Sequence, residues 1–583
     1  MHHSGLAWYV LPYMASLIAK TKGTKRYYYV VESARVNGRP RIVDQIYLGT
    51  AERVAALVKD RTAPLPLSAT VREFGLPGAL WLAAQQTGIL EVLTTMWPPG
   101  RSGPSAAHYL LLAAIHRVCQ PGPKTEVAEW YRHSILAAIW GFPPDRFTSQ
   151  AFWDCFERLV PEALSGEDGA EAPLDEVQQR LTARWQAQER VSGRLLAYDT
   201  TNFYTYFATT NTRSRLAQRG HNKQGRHNLR QIGLSFVLDG EHGFSLCHHV
   251  YRGDTPDVAE LGATVQRVGQ LLDRHQIPRH TVTLVMDKGA AALANTALLT
   301  DAGFGWICAL PWTQAPADLR ERPVEDLTTC PQPGVRAAAA PRLVHGAEHL
   351  CVVKYSASFA SEQLQSVTTS VSKVVQALRR FAVDLRKPQA RFTEEHIHRK
   401  ITRWLAVPYV NELMAYTLER REGHWHLQFA FDHAALLRMM AQRFGRTVLL
   451  TNRLDWTAEQ VISGYDGQQG VEQVFRGLKD GDWLGWGPMH HWTDSKIRIH
   501  AFYCMLGITL LQTIHRAAQA AWPGLSMDRL LEELQRIQQV VLLYPPLGET
   551  GPARTATVLS TQTLPQQALV KTLGLDQLHT SRR

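Results

Sequence analysis

Short apolar runs alternate with polar turns through the middle of the chain, between Arg194 and Pro311. Runs rich in Val, Ile, Leu and aromatic residues predict strands, whereas apolar residues at three- and four-residue spacing predict helices. The pattern predicts three antiparallel strands, then a helix, a strand, a second helix and a last strand. In chain order these elements are Leu195 to Tyr198, Gln231 to Leu238, Phe244 to Tyr251, the helix Val258 to Leu272, Thr281 to Met286, the helix Ala290 to Leu299, and Gly305 to Leu310.

Carboxylates follow two of these predicted strands. Asp199 ends the first strand, Asp287 ends the fourth, and a third acidic residue, Glu472, lies in a segment with helical periodicity. The predicted order of elements is that of a ribonuclease-H-like α/β core, in which these two strands are central neighbours. Carboxylates at the ends of buried strands are costly to desolvate unless they are paired, protonated or bound to a metal. The three residues therefore predict a magnesium site.

Such a site suits the cleavage of a phosphodiester. In-line cleavage uses two metal ions about 3.5–4 Å apart, one for the attacking oxygen and one for the leaving oxygen. We expect Asp199 to bridge two Mg²⁺ ions, with Asp287 and Glu472 each on one ion, and we expect Mn²⁺ to substitute. The same site can use water to nick a strand and a DNA 3′-hydroxyl to join one. For either aspartate alone, a turn-forming residue at a strand end stays an alternative.

The charge of the chain favours a polyanionic partner. The net charge is +11 and the isoelectric point about 9.3, although basic enzymes without such a partner are common. The seven cysteines contain no C-x-x-C pair, which argues against a zinc knuckle or a disulfide framework and fits a reducing cytosol. The apolar run Ala501 to Ile514 fits a buried helix better than a membrane span, so no membrane partner is expected.

The flanking regions divide the chain further. Two β-rich runs surround Asn37-Gly38, a dipeptide suited to a tight hairpin turn, and the basic residues around them either contact phosphate or are solvated edge charges. The expected domains are the N-terminal β-hairpin region 1–65, the helical and DNA-binding region 66–192, the first part of the core 193–311, an inserted domain 312–444, the second part of the core 445–520, and a C-terminal helical region and tail 521–583.

Polar residues at fixed spacing surround Glu472. Tyr465 and Lys479 lie seven residues before and after it, so Glu472 and Lys479 share a helix face about 10 Å apart. The spacing matches the signature Tyr, two residues, Arg, three residues, Glu, six residues, Lys. The chain thereby resembles the DDE transposases of bacterial insertion sequences that carry this signature. Gln468 stands at the Arg position, and Arg476, one turn beyond Glu472, is the candidate substitute.

Further segments extend this resemblance over roughly residues 25 to 520. The block Gly220 to Gln231 resembles the basic segment before the second strand of these enzymes, and Arg252 to Asp257 resembles their turn into the first helix. The resemblance implies that Asp199, Asp287 and Glu472 are the catalytic metal ligands. It implies DNA contacts by Tyr465, Lys479, Arg476, Lys223 and Arg226.

The implied activity is cut-and-paste transposition. A transposase of this group binds the ends of its insertion sequence, cleaves them by metal-dependent hydrolysis, and joins the 3′-hydroxyl ends to target DNA. The implied partner is double-stranded DNA, as terminal inverted repeats and as target, bound by a homodimer at the nucleoid in the bacterial cytoplasm. Two alternatives stay open: a domesticated or inactive DNA-binding protein derived from a transposase, and a structure-specific nuclease of the same fold.

Overall fold

The computed structural model divides the chain into two compact units. The smaller unit comprises the chain up to Arg72 together with Gln539–Ser560, and the larger comprises Glu73–Gln538 and the chain from Thr561 onward. The structure describes residues 14–23, 25–36, 39–59, 65–99, 103–164, 172–208, 210–220, 226, 228–241, 243–287, 292–387, 391–467, 474, 477–478, 483–487, 489–546 and 552–580.

The smaller unit begins with an antiparallel meander of β1 (Met14–Lys22), β2 (Lys25–Val36) and β3 (Arg39–Gly49). The predicted pairing of β2 with β3 is confirmed, whereas β1 was not predicted; the Asn37-Gly38 turn lies outside the described residues. Helix α1 (Ala51–Lys59) and strand β4 (Ser68–Glu73) follow.

Helices follow in the larger unit, as the sequence predicts for this region. The helical chain is interrupted at Gly88, where φ is +74° and an added Cβ would lie 1.8 Å from Arg184 Nε. The Thr148 side chain accepts from the backbone N–H of Ala151 at 3.2 Å and so caps the helix that begins at Ser149. The helices are α2 (Gly75–Gln86), α3 (Ile89–Met96), α4 (Ala106–Cys119), α5 (Val127–Arg132), α6 (Ile135–Trp140), α7 (Ser149–Leu159) and α8 (Ala172–Ala187).

A large mixed sheet forms the middle of this unit. Its central strands have the order β7-β6-β5-β8-β9; β5, β8 and β9 are parallel, and β6 is antiparallel to both of its neighbours. The predicted order of strands and helices is confirmed here. The elements are β5 (Leu195–Tyr204), β6 (Gln231–Asp239), β7 (Ser245–Arg252), α9 (Asp257–Arg274), β8 (Thr283–Met286), α10 (Leu293–Asp301) and β9 (Gly305–Ala309).

The region predicted as an inserted domain has two parts. In the first, β11 and β12 continue the large sheet through β15 to β9, so these residues share the core of the central strands. The second part has its own apolar clusters, built around Phe381 and Phe444. The elements are α11 (Ala317–Arg320), β10 (Thr328–Thr329), β11 (Val335–Val344), β12 (Ala347–Ser356), α12 (Ala357–Leu385), α13 (Glu394–Leu405), α14 (Val410–Leu413), β13 (Met414–Arg421), β14 (His424–Phe431), α15 (His433–Gln442) and β15 (Arg446–Thr451).

Helix α16 (Ala458–Asp466) packs on β9, β11, β12 and β15, and α17 (Asp494–Ala521) packs on α2, α4, α7 and β7. By length and composition α17 could span a membrane, but 89% of its most apolar window is buried by the rest of the protein. The predicted helical C-terminus also contains two strands of the smaller unit, of which one pairs with β4 and the other pairs with the first. The last elements are α18 (Met527–Gln535), β16 (Gln538–Tyr544), β17 (Arg554–Leu559), α19 (Leu564–Thr572) and α20 (Asp576–Thr580).

Candidate functional site

Two of the three predicted acidic residues lie on adjacent strands. Tyr198 of β5 and Met286 of β8 are partners in the parallel pairing, and Asp199 and Asp287 are the residues that follow them. Equivalent positions of paired strands are about 4.8 Å apart. The pairing therefore brings together two aspartates that are far apart in the sequence.

The prediction that β5 ends at Asp199 is wrong. Strand β8 does end directly before its aspartate, at Met286. Strand β5 instead continues to Tyr204, and Asp199 is paired with Phe236 of β6. The residues Thr200 to Tyr204 are mostly β-branched or aromatic, which favours continued pairing. Asp199 thus lies where β5 loses its neighbour on one side and keeps the other.

The two carboxylates differ in their surroundings. Asp199 is half-buried, and its Oδ1 accepts from the backbone N–H of Thr200 at 2.7 Å. Asp287 is exposed. The short bond fixes one oxygen of Asp199 and thereby orients the whole carboxylate.

The described part of the chain holds only some of the predicted site residues. Glu472, Arg476, Lys479 and Lys223 lie outside it. Within the described residues no group of three or more His, Cys, Asp or Glu side chains could hold a metal ion. The donor set of Asp199 and Asp287 nevertheless fits a divalent cation, because both offer the carboxylate oxygens that Mg²⁺ prefers.

Tyr465 and Arg226 are the two predicted DNA contacts that the structure describes. Tyr465 lies in the last turn of α16 and packs, half-buried, against the apolar cluster that contains Val461 and Ile462. Arg226 is exposed; its guanidinium lies 5.6 Å from the ring centre of Tyr204, and Nη1 is 3.5 Å from the Tyr206 hydroxyl. Their roles toward DNA stay predictions.

A buried carboxylate fixes the chain that follows β5. Asp494, 3% exposed at the start of α17, accepts from Ser214 Oγ at 2.7 Å and from the backbone N–H groups of Arg215 and Leu216 at 3.0 and 3.2 Å. Asn211 and Trp492 are also bonded across this contact, at 3.2 Å. The segment that leads from β5 toward Arg226 is therefore anchored to α17.

A cavity of about 440 Å³ lies beside this anchor, and the sequence analysis did not identify it. Three cationic side chains line it: Arg117 of α4, Lys124 between α4 and α5, and Lys496 of α17. Arg117 and Lys124 are seven residues apart, but Lys496 lies 372 residues beyond Lys124, so no spacing in the sequence joins all three. The only signals were the neighbouring His490, His491 and Trp492.

No protein-family model matches the chain, and no curated protein matches it. Among solved structures, the chain is similar to a piggyBac transposase synaptic complex with hairpin DNA, determined by cryo-EM. The TM-score is 0.36 and the sequence identity 10%, over 80% of this chain and 82% of that chain. We infer neither fold nor function from a likeness at this level.

Proposed function

We propose that the chain is a DDE-type DNA transposase with a ribonuclease-H-like catalytic core. One observation carries the proposal: Asp199 of β5 and Asp287, directly after β8, follow the paired residues Tyr198 and Met286 of two parallel strands in a sheet with the order β7-β6-β5-β8-β9. Three antiparallel neighbours with two further parallel strands beside the first are the ribonuclease-H-like plan. The Tyr465, Glu472 and Lys479 spacing adds the resemblance to insertion-sequence transposases.

Mg²⁺ is the proposed cofactor, with Mn²⁺ as a substitute. Asp199, Asp287 and Glu472 are the residues that would hold it. When bound at such a site, the metal activates the attacking oxygen and stabilises the leaving oxygen. The bond from Thr200 to Asp199 Oδ1 supports this role, because it orients the carboxylate before any ligand arrives.

The protein's own groups would position the DNA. Arg226, exposed beside Tyr204, is a charged donor of the kind that pairs with phosphate oxygens. Lys223, Arg476 and Lys479 are the further proposed phosphate contacts, and the Tyr465 hydroxyl is a proposed donor. The net charge of +11 supports a polyanionic substrate.

The proposed substrates are the terminal inverted repeats of an insertion sequence and its target DNA. By the same resemblance, we propose a homodimer on paired ends, working at the nucleoid in a bacterial cytoplasm. Binding should weaken steeply with salt, with a log-log slope of about −0.9 for each phosphate contact. A slope near zero in a filter-binding series would contradict the nucleic-acid substrate.

The test of this function is cleavage and joining with the full chain. A linear DNA that carries the sequences flanking the reading frame is incubated with Mg²⁺ and a supercoiled target plasmid. We expect cuts at the repeat ends and covalent joining of their 3′ ends to the plasmid. Cleavage without joining would favour a structure-specific nuclease, and end binding with no cleavage in Mg²⁺ or Mn²⁺ would favour a domesticated DNA-binding protein.

A further inference from the structure

We propose that the cavity between α4, α7 and α17 is a binding site for a phosphate group. Its volume of about 440 Å³ lies within the range of small-molecule pockets and exceeds what one inorganic phosphate fills, so the ligand is a phosphate ester or a polyphosphate. This proposal does not depend on the proposed function, since the cavity contains neither aspartate.

The cations of the cavity outnumber their anionic partners. Lys496, 1% exposed, pairs with Glu157, which is the only carboxylate partner found for the three cavity cations among the described residues. Arg117, 6% exposed, has an Nε atom with no hydrogen-bond partner in that part of the chain. Lys124, half-buried, donates to the Tyr503 hydroxyl at 3.2 Å.

Such an arrangement is costly without an anion. A buried cation loses its hydration, and a neutral hydroxyl returns only part of that free energy. Arg117 and Lys124 also repel each other, which helps to lower the pKa of Lys124, after the larger effect of burial, to about 7. A bound anion would relieve both costs at once.

The aromatic walls indicate that charge, more than ring stacking, is recognised. Trp153 and Trp492 stack on each other with ring centres 5.4 Å apart. Lys496 Nζ lies 4.7 Å from the centre of Trp153, and the Arg213 guanidinium lies 5.1 Å from that of Trp492. Because these ring faces are already covered, they form a rigid wall that holds a cation in place.

Phosphate is the anion that fits these donors best. Arginine and lysine together offer a planar fork and a point charge, and both pair strongly with phosphate oxygens. Ser149 and the exposed His490 also line the cavity, and residues of these types can donate hydrogen bonds.

The cavity is separate from the two aspartates. Its wall residue Met489 forms a β-bridge with Thr205, six residues beyond Asp199 along β5 and its continuation. Six residues of strand span about 20 Å. Two sources of phosphate fit this position: a small phosphorylated ligand, or the backbone of a nucleic-acid strand.

Calorimetric titration of the full chain with pyrophosphate tests the proposal. Lys124→Met should weaken binding by about tenfold or more, since it removes the charged donor and leaves an uncharged side chain of similar length. The matched control is Arg132→Met, which removes an exposed cation on the next helix; among the described residues its one ion-pair partner is Glu129 in the same turn. Equal affinities of wild type and Lys124→Met, or no saturable binding by wild type, would overturn the proposal.

Proton uptake gives a second readout that a structural role for Lys124 would not produce. Sulfate does not titrate near neutral pH, so a proton taken up when it binds at about pH 8 comes to the protein. We expect uptake in wild type and in Arg132→Met, and little in Lys124→Met; equal uptake in all three would contradict the assignment. The titratable and charged groups around Lys124 are His116 and Arg117 on α4, His490 and His491 before α17, and Lys496, His500, Tyr503 and Cys504 on α17; Glu157 of α7 pairs with Lys496.

A short oligothymidylate distinguishes the two sources. If it displaces pyrophosphate from the wild type, the phosphate belongs to a nucleic-acid strand. If it binds without displacing pyrophosphate, the site takes a small phosphorylated ligand. Lys124→Met must unfold at no lower temperature than wild type in phosphate-free buffer, because the proposal makes Lys124 a cost to the unliganded fold; a large fall would contradict it.

Discussion

The two aspartates and the cationic cavity are built in opposite ways. Asp199 and Asp287 are carboxylates placed by the pairing of two parallel strands. Asp199 is half-buried and Asp287 is exposed. Arg117, Lys124 and Lys496 are cations brought together by the packing of helices, and two of them are more than nine-tenths buried. Backbone pairing places the first site, whereas side-chain burial creates the second.

Because of this difference, the two sites affect the stability of the fold differently. A carboxylate near water keeps most of its hydration, so the exposed Asp287 costs the fold little. A buried cation without a carboxylate destabilises the protein until an anion binds. Asp494 joins the two regions, because it starts the helix that carries Lys496 and fixes the segment that follows β5.

The largest expected effect lies at the aspartates. Asp199→Ala and Asp287→Ala should each abolish DNA cleavage and leave end binding nearly unchanged, because each removes a proposed metal ligand and adds no negative charge. A cleavage assay beside a gel shift measures both. The control is Asp254→Ala, which removes a carboxylate that follows β7 and is paired with Arg252 at 2.7 Å. Near wild-type cleavage by either variant would remove that aspartate from the site.

The second largest effect is expected at Asp494, which connects the two regions. Asp494→Ala leaves the donors of Ser214, Arg215 and Leu216 without their acceptor, at a cost of about 3 kcal/mol in the free energy of unfolding. Hydrogen exchange should also accelerate at Arg215 and Leu216. Urea denaturation beside the exposed Asp145→Ala measures the loss, and equal stability of the two variants would show that the anchor contributes nothing.

The sequence correctly predicted the strands for which the local pattern of apolar residues agrees with the observed backbone pairing. Strands β6, β8 and β9 are short apolar runs between turns, and their order followed from that pattern. The end of β5 was misjudged, because Thr200 to Tyr204 carry fewer aliphatic residues and still pair with β6. Strand β16 was missed because one of its pairing partners, β4, lies at the other end of the chain, and β17, which pairs with β16, was missed with it.

The cavity could not be predicted from the sequence for a different reason. A lysine in a sequence is most often a solvated surface charge, and nothing near Lys124 in the chain marks it as enclosed. Its enclosure results from helices α7 and α17, which begin 25 and 370 residues further along the chain. The aspartates were recognised from the sequence because each directly follows an apolar run that predicts a strand.

The third prediction concerns the pH dependence of stability. Burial lowers the pKa of Lys124 to about 7, whereas an unfolded lysine titrates near 10.4. Between these pH values the unfolded chain binds a proton that the folded chain lacks. The free energy of unfolding therefore rises with pH, with a slope that corresponds to at most one bound proton. Lys124→Met should flatten that rise. Cys504, whose pKa burial raises to about 12, contributes with the opposite sign in both proteins and cancels.

Urea titrations at several pH values between about 7 and 10 measure this slope. The control is again Arg132→Met, whose exposed guanidinium does not titrate there. The same slope in Lys124→Met and wild type would mean that Lys124 is solvated, and the contrast between the two regions would then fail.

The smallest effect concerns Tyr465. Tyr465→Phe keeps the ring that packs against the apolar cluster and removes only the hydroxyl, so the fold should be retained. Loss of one uncharged hydrogen bond to DNA costs about 0.5–1.5 kcal/mol, which weakens end binding by less than about tenfold. Gel-shift affinities measure this. Lys479→Ala serves as the comparison, because loss of a charged phosphate contact should weaken binding more than loss of the hydroxyl; the reverse order would contradict the proposed roles.

Binding of Mn²⁺ to the full chain tests the central claim most directly, because it needs neither the DNA ends nor an active assembly. Electron paramagnetic resonance follows the loss of the free-ion signal as protein is added to Mn²⁺. The account predicts saturable binding by wild type and by Asp254→Ala, and binding weakened by at least about tenfold in Asp199→Ala and in Asp287→Ala. Equal Mn²⁺ binding by all four proteins would contradict the assignment of the two aspartates as metal ligands.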